Sequence, residues 1–295
     1  MYDIERYYQA SGVADAVAAL GRDPEAQLIA GGTDVLIQTR EGRRAGCHLV
    51  SLHGLEELRQ IRVKEDGAIV IGSGCTFSEI TNSPLLRPRI NMLCQAVDQV
   101  GSPQIRNMGT IGGNVCNGVT SADSAPSLMA LNAVMELQGP DGTRRVPISE
   151  WYAGPGKTVR QHDEVLTAVR IAPENYQGYS GHYIKYGKRE AMEISTLGCA
   201  VLLKLSADQT TVEDIRIAFG VAAPTPVRCP KTEALVTGRA LSAELVKELG
   251  ESVLTEINPR DSWRASRAFR LQIAREISRR AFLQAVQFAG GDIHA

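Results

Sequence analysis

Along the first forty residues the apolar positions change period twice. Val13-Ala14-Asp15-Ala16-Val17-Ala18-Ala19-Leu20 carries them at helical spacing behind Ser11, a candidate cap, and Pro24 ends the pattern. Gln27 to Ala30 then reads as a short buried strand. It runs into Gly31-Gly32, after which Asp34-Val35-Leu36-Ile37-Gln38 opens a helix with Thr33 or Asp34 as its cap. His48 to Leu52 predicts another strand and Leu55 to Leu58 a short helix. Strands around Ile61–Val63 and Ala68–Ile71 turn through Asp66-Gly67. Thr76 and Glu79, three apart, make a capping box, and Met92 to Val100 is an amphipathic helix. An apolar segment covers Ser127 to Leu137 with Pro126 at a first helical position, and Asp141-Gly142 sets a hairpin before Arg144-Arg145-Val146.

A polar stretch from Ala172 to Gly181, with Pro173, Asn175, Gly178 and Ser180, marks an expected domain boundary. Beyond it His182–Lys188, Thr196–Leu205 and Val212–Ala222 read as three strands of an antiparallel sheet. From Lys231 the pattern is helical, with Arg264 to Phe288 the longest candidate. At 295 residues, two domains or a subdivided one is expected.

The bulk numbers exclude more than they assign. A hydrophobic fraction of 43% and a charged fraction of 22% are those of a soluble globular chain, and a formal net charge of −1 argues against nucleic acid. No apolar run reaches the roughly 20 residues of a membrane span. No basic segment leads into an apolar stretch at the N-terminus, so the cytoplasm is the expected location. Six cysteines at 47, 75, 94, 116, 199 and 229 include no C-x-x-C pair, which fits reduced thiols and no metal or iron–sulfur site on this chain. His48 and His53 read as loop or surface residues.

The chemistry concentrates in two glycine pairs, Gly31-Gly32-Thr33-Asp34 and Gly109-Thr110-Ile111-Gly112-Gly113-Asn114. Adjacent glycines let backbone amides converge on an anion, and two such loops suggest a dinucleotide pyrophosphate held from both sides. Neither matches G-x-G-x-x-G, and Gly72-Ser73-Gly74 has only part of that spacing. Gly154-Pro155-Gly156-Lys157-Thr158 lacks the first glycine of a phosphate-binding loop and reads as a polar turn. Asp123, in a Ser/Thr-rich segment, either accepts hydrogen bonds from ribose or ribitol hydroxyls or serves as the N-terminal carboxylate of a helix. No activated nucleophile is legible, which fits a protein whose cofactor performs the chemistry.

These motifs resemble the FAD-binding medium subunit of the molybdenum hydroxylases. The resemblance is carried by Leu28 to Leu36, Ser102 to Asn114 and Ser121-Ala122-Asp123-Ser124, and extends over nearly the whole chain. Asn114 to Gly118, Phe219 to Pro226 and Ser262-Trp263-Arg264-Ala265-Ser266 are most similar to the flavin subunit of bacterial xanthine dehydrogenases. It implies an α+β fold. A two-subdomain FAD-binding domain of the PCMH/vanillyl-alcohol-oxidase type spans 1–175 and divides near residue 55. A C-terminal domain over 176–295 combines a three-stranded antiparallel sheet with a helical bundle.

It implies roles as well. Ala30, Gly31, Gly32, Thr33, Asp34 and Val35, with Thr110, Ile111, Gly112, Gly113 and Asn114, would hold the pyrophosphate of a noncovalent FAD, chiefly through backbone amides. Asp123 would bond the ribityl or ribose region, Leu166 would contact adenine, Tyr183 would cover one flavin face, and Lys185 would sit by the flavin ring. A large molybdopterin subunit and a small [2Fe-2S] subunit are the implied partners, feeding electrons to FAD and on to NAD⁺. The alternatives are a sister subunit for nicotinate, carbon monoxide or another substrate, and a flavin-free assembly subunit.

Overall fold

The computed structural model describes residues 2–293. The first unit is β1 (Ile4–Gln9), α1 (Val13–Arg22), β2 (Ala26–Ile29), α2 (Val35–Arg40) and β3 (Cys47–Ser51), with the strands forming a parallel sheet in the order β1-β3-β2. α1 buries Val13, Ala16, Val17, Ala19 and Leu20, the stripe that its spacing predicted. Its cap is Gly12 rather than Ser11, whose amide and hydroxyl instead donate to Asp15. α2 starts at Asp34 without a side-chain cap, because that carboxylate accepts from Gln38 one turn on.

The second unit runs through β4 (Ile61–Val63), β5 (Ile69–Gly72), α3 (Phe77–Thr81), α4 (Arg87–Asp98), α5 (Pro103–Met108), α6 (Ile111–Cys116) and α7 (Ser124–Ala130). It continues with β6 (Val134–Gly139), β7 (Gly142–Pro147), the small hairpin β8 (Tyr152–Gly154) and β9 (Lys157–Thr158), and β10 (Val165–Ile171). Its five-stranded antiparallel sheet has the order β4-β5-β10-β6-β7. Thr76 and Glu79 form the expected reciprocal capping box on α3. The apolar segment from Ser127 to Leu137 is helix and then strand, broken at Asn132, whose φ is +45°. Pro126 is the third helical residue of α7, not the first. Gly154 to Thr158 is the polar hairpin turn that its composition suggested.

The last unit is β11 (Ser180–Tyr186), β12 (Leu197–Leu205), β13 (Val212–Gly220) and a short β14 (Val227–Arg228), followed by α8 (Pro230–Val236), α9 (Ala243–Ser252) and α10 (Arg267–Phe288). The three expected strands pair as predicted, and β14 adds a fourth at the edge beside β13. β12 is apolar and buried from Leu197 to Leu203 because both of its faces are covered there. Ala200 and Leu202 join the core packed around α4 and α7, whereas Cys199, Val201 and Leu203 join the core under α9 and α10.

Candidate functional site

The two glycine pairs meet. β2 delivers the chain to Ala30, and the turn into α2 brings Gly31 against the end of α5. A Cβ on Gly31 would lie 1.8 Å from the Met108 carbonyl oxygen. Gly32 takes φ +71°, the left-handed region that favours glycine. Among the described residues, the N–H groups of Gly31, Gly32, Thr33, Asp34 and Val35 donate to no protein acceptor. This turn is a set of open amides of the kind that cradles an anion.

The second pair is built differently. Thr110 caps α6, so Gly112 and Gly113 lie in the first turn of a helix and not in a loop as expected. The amides of Ile111, Gly112, Gly113 and Asn114 are engaged by Cys75 O, Ser73 O, Thr110 Oγ1 and Thr110 O. A Cβ on Gly112 would collide with Ser73 at 2.6 Å, whereas one on Gly113 would meet only the Thr110 hydroxyl, at 3.1 Å. This segment therefore presents the bare Cα of Gly113 and the side chains of Thr110 and Asn114, rather than free amides. Trp151, fully buried, fixes α6 by donating its indole N–H to Val115 O at 3.0 Å.

Both segments line one cavity of about 500 Å³, in the range of cofactor sites. Ala30 to Val35, Thr110, Gly112, Gly113, Asn114 and Leu166 all border it. Ile111 does not, being fully buried in the core. Several lining residues gave no sequence signal. Arg44, Arg59, Arg160, His53 and His162 share the wall with a single carboxylate, Asp34, so the cavity favours an anion. Arg160 is held by the carbonyls of Gln161, His162 and Glu164, and His162 reaches the end of α1 at Leu20 O and Asp23 O. Ser73 and Gly74 line the cavity too, and Gly72 and Gly74 allow close approach to the Leu58 backbone. Their spacing matches only part of G-x-G-x-x-G, so the motif alone does not mark them. His53 is an exposed turn residue, as expected, that also borders the cavity, whereas His48 is not a loop residue: it lies on β3 with Nδ1 2.7 Å from Asp23.

Asp123, Tyr183 and Lys185 form a second group away from that wall. Asp123 precedes α7 and is buried, so its side chain is not the helix cap. Tyr183 Oη and Ser195 Oγ donate to its Oδ1, and Lys185 Nζ donates to Oδ2 at 2.8 Å. Burial pushes the Asp123 carboxyl above its ordinary value against the pull of the Lys185 ammonium, and burial beside Asp123 drives the Tyr183 phenol well up. Ser124 Oγ donates to Asn114 Oδ1 and links this group to the cavity. Lys185 also borders a smaller pocket of about 300 Å³ with Gln99, Tyr186 and the loop from Gly187 to Glu193. Ser195 is the member of the group that sequence reasoning missed.

A family model described as the FAD binding domain in molybdopterin dehydrogenase matches residues 2–174, and one described as the CO dehydrogenase flavoprotein C-terminal domain matches residues 182–285. The chain is 41% identical to the xanthine dehydrogenase FAD-binding subunit of Escherichia coli O157:H7, over 99% of this chain and all of that protein. It is 31% identical to the carbon monoxide dehydrogenase medium chain of Hydrogenophaga pseudoflava, over 93% of this chain and 94% of that one. The solved carbon monoxide dehydrogenase from the same organism, a form lacking the Mo-pyranopterin moiety, superposes with a TM-score of 0.91 at 29% identity. That match covers 98% of this chain and 99% of the other.

Proposed function

The chain belongs to the family of FAD-binding subunits of molybdopterin dehydrogenases, and from that premise we propose that it is the flavin subunit of a xanthine dehydrogenase. The observation that carries the placement of the cofactor is the turn of five open amides, Gly31 to Val35, on a cavity walled by arginines and nearly free of carboxylates. These residues fit FAD. The open amides take the pyrophosphate from one side, and Thr110, Gly113 and Asn114 approach it from the other. Leu166, on the same cavity wall as Arg160 and His162, offers an apolar surface for adenine. The Asp123–Tyr183–Lys185 group lies toward the ring end, where an ammonium stabilises negative charge on the flavin.

When bound, FAD supplies the redox chemistry that joins one-electron [2Fe-2S] clusters on a small subunit to the two-electron acceptor NAD⁺. A large subunit carries the molybdopterin that meets the hydroxylated substrate. The chain's own part is to orient and shield. Its identity with the Escherichia coli subunit favours xanthine over nicotinate or carbon monoxide, and six unpaired cysteines suit the cytoplasm. Among the described residues no helix is long and apolar enough to cross a membrane.

An absorption spectrum of the purified chain and heat release of its chromophore test the reading. Visible flavin bands and free FAD are expected. Gly113→Asp, which sets a carboxylate beside the pyrophosphate with little steric demand, should release the flavin. A chain that stays colourless with added FAD refutes the proposal and favours the flavin-free assembly role.

A further inference from the structure

Tyr183 and Lys185 share one face of β11, and both reach Asp123. Gly198, opposite Lys185 on β12, makes the room: a Cβ there would stand 2.5 Å from the Tyr183 hydroxyl. A third donor comes from neither strand. Ser195, 2% exposed, lies near the end of the loop between β11 and β12, and its hydroxyl donates to the same Oδ1 that Tyr183 uses.

The Lys185 ammonium has three N–H groups to place. Asp123 Oδ2 takes one and Gln99 O, at the end of α4, takes another, both at 2.8 Å. The third has no acceptor among the described residues, and Lys185 lines the pocket of about 300 Å³. The ammonium is thus held at two points with one donor left for a ligand. This holds only while Asp123 is ionised, because a neutral carboxyl gives up the charge that anchors Lys185. Burial favours the neutral form, whereas Lys185, Ser195 and Tyr183 favour the carboxylate. The remaining neighbours add no net charge. Tyr183 and Cys199, on β11 and β12, are driven up by burial and stay neutral. α4 presents Gln95 and Gln99, and Asn114 and Ser124 stand toward α6 and α7. Lys188, Arg189, Glu190 and Glu193, which line the pocket with Lys185, cancel in charge.

We propose that Ser195 is a positioning residue of the flavin site: acting through Asp123, it keeps the Lys185 ammonium fixed at the pocket with one N–H free for the bound flavin. The inference rests on the flavin reading above, which supplies the ligand.

The test titrates Asp123 in the full chain by infrared difference spectroscopy, with Asp123→Asn identifying its band. Ser195→Ala raises the pH at which this carboxyl takes a proton by about one unit or more, the weight of one hydrogen bond to a charged group. Ser195→Thr, which keeps a hydroxyl, restores the parental midpoint. Gly198→Ala displaces the Tyr183 hydroxyl and moves the midpoint in the same direction as Ser195→Ala. In the FAD-loaded chain the visible flavin band shifts at the same midpoint as the carboxyl in each variant, since the charge beside the ring changes as Asp123 takes its proton. An unmoved carboxyl midpoint in Ser195→Ala overturns the proposal. So does a moved carboxyl that the flavin band ignores, which makes the serine structural alone. A parent chain that binds no flavin also overturns it, and is told apart because the flavin reading itself then fails while the carboxyl titration can still be measured.

Discussion

Replacing Gly31 by alanine tests whether the two glycine segments are held in contact as described. Gly31 is not in the left-handed region, so alanine carries no conformational penalty there, and the effect is steric alone. The new Cβ would stand 1.8 Å from Met108 O and 2.6 Å from its carbonyl carbon, where ordinary contact begins at 3.4 Å. The obstacle is backbone, which no rotamer change relieves, so the turn and the end of α5 must part by about 1.6 Å. Overpacking of this kind costs about 3 kcal/mol. For a chain of this size that lowers the melting temperature by about 5 °C.

The same displacement takes the open amides off the pyrophosphate. Losing two charge-assisted hydrogen bonds at about 1.5–3 kcal/mol each weakens FAD binding by about 10²–10⁴-fold. Differential scanning calorimetry and titration of the apoprotein with FAD measure the two effects. Gly113→Ala is the control, since its Cβ meets only the Thr110 hydroxyl, and its melting temperature should stay within about 2 °C of the parent. A Gly31→Ala protein with unchanged melting temperature and FAD affinity would mean that the segments do not touch, and the site geometry would fall with them.

The remaining predictions concern buried charge. Asp123→Asn leaves the Lys185 ammonium buried without its counter-ion and costs about 3–5 kcal/mol in urea unfolding, and Lys185→Met costs a similar amount by stranding the carboxylate. The double variant recovers most of the loss, and strict additivity of the two single effects would show that the pair is not coupled. Glu164 accepts two bonds from Arg144 and one from the Gln161 amide, which hold its carboxyl below the ordinary value. Its contribution, about 1.5–3 kcal/mol, is therefore full above pH 4.5 and is lost as pH falls through the depressed folded value. The stability gap to Glu164→Gln should close on acidification, and urea midpoints from pH 7 downward would expose a constant gap.

Much of this architecture could be read from the chain because its elements obey local rules. The box at Thr76–Glu79, the stripe of α1 and the strands from Ser180 to Gly220 all declare themselves. β1 does not, because all but Ile4 of its six residues are exposed and no alternation survives. α5 buries none of its residues, so only Ser102 and Pro103 mark its start. The glycine pairs meet at one cavity, but for reasons that differ in part from those their motif suggested. Of the four glycines, Gly32 answers to backbone conformation, whereas Gly31 and Gly112 answer to backbones distant in sequence, which periodicity cannot show. The arginines of the cavity arrive from three separate segments and have no shared spacing. Asp123 illustrates the same limit, since its partners lie 60, 62 and 72 residues further on.

The double-faced strand β12 bears on how the protein is made. The faces of α4 and α7 that end against Ala200, Leu202 and Ala218 are synthesised long before those residues exist. About ninety residues separate the end of α7 from the end of β13, which at ordinary elongation rates is on the order of ten seconds. Through that interval the nascent chain carries α4 and α7 with an open apolar flank, even after β10 completes the flavin-binding half. Slowing the ribosome between residues 130 and 220 would lengthen the exposure of that flank without altering a single contact in the finished fold.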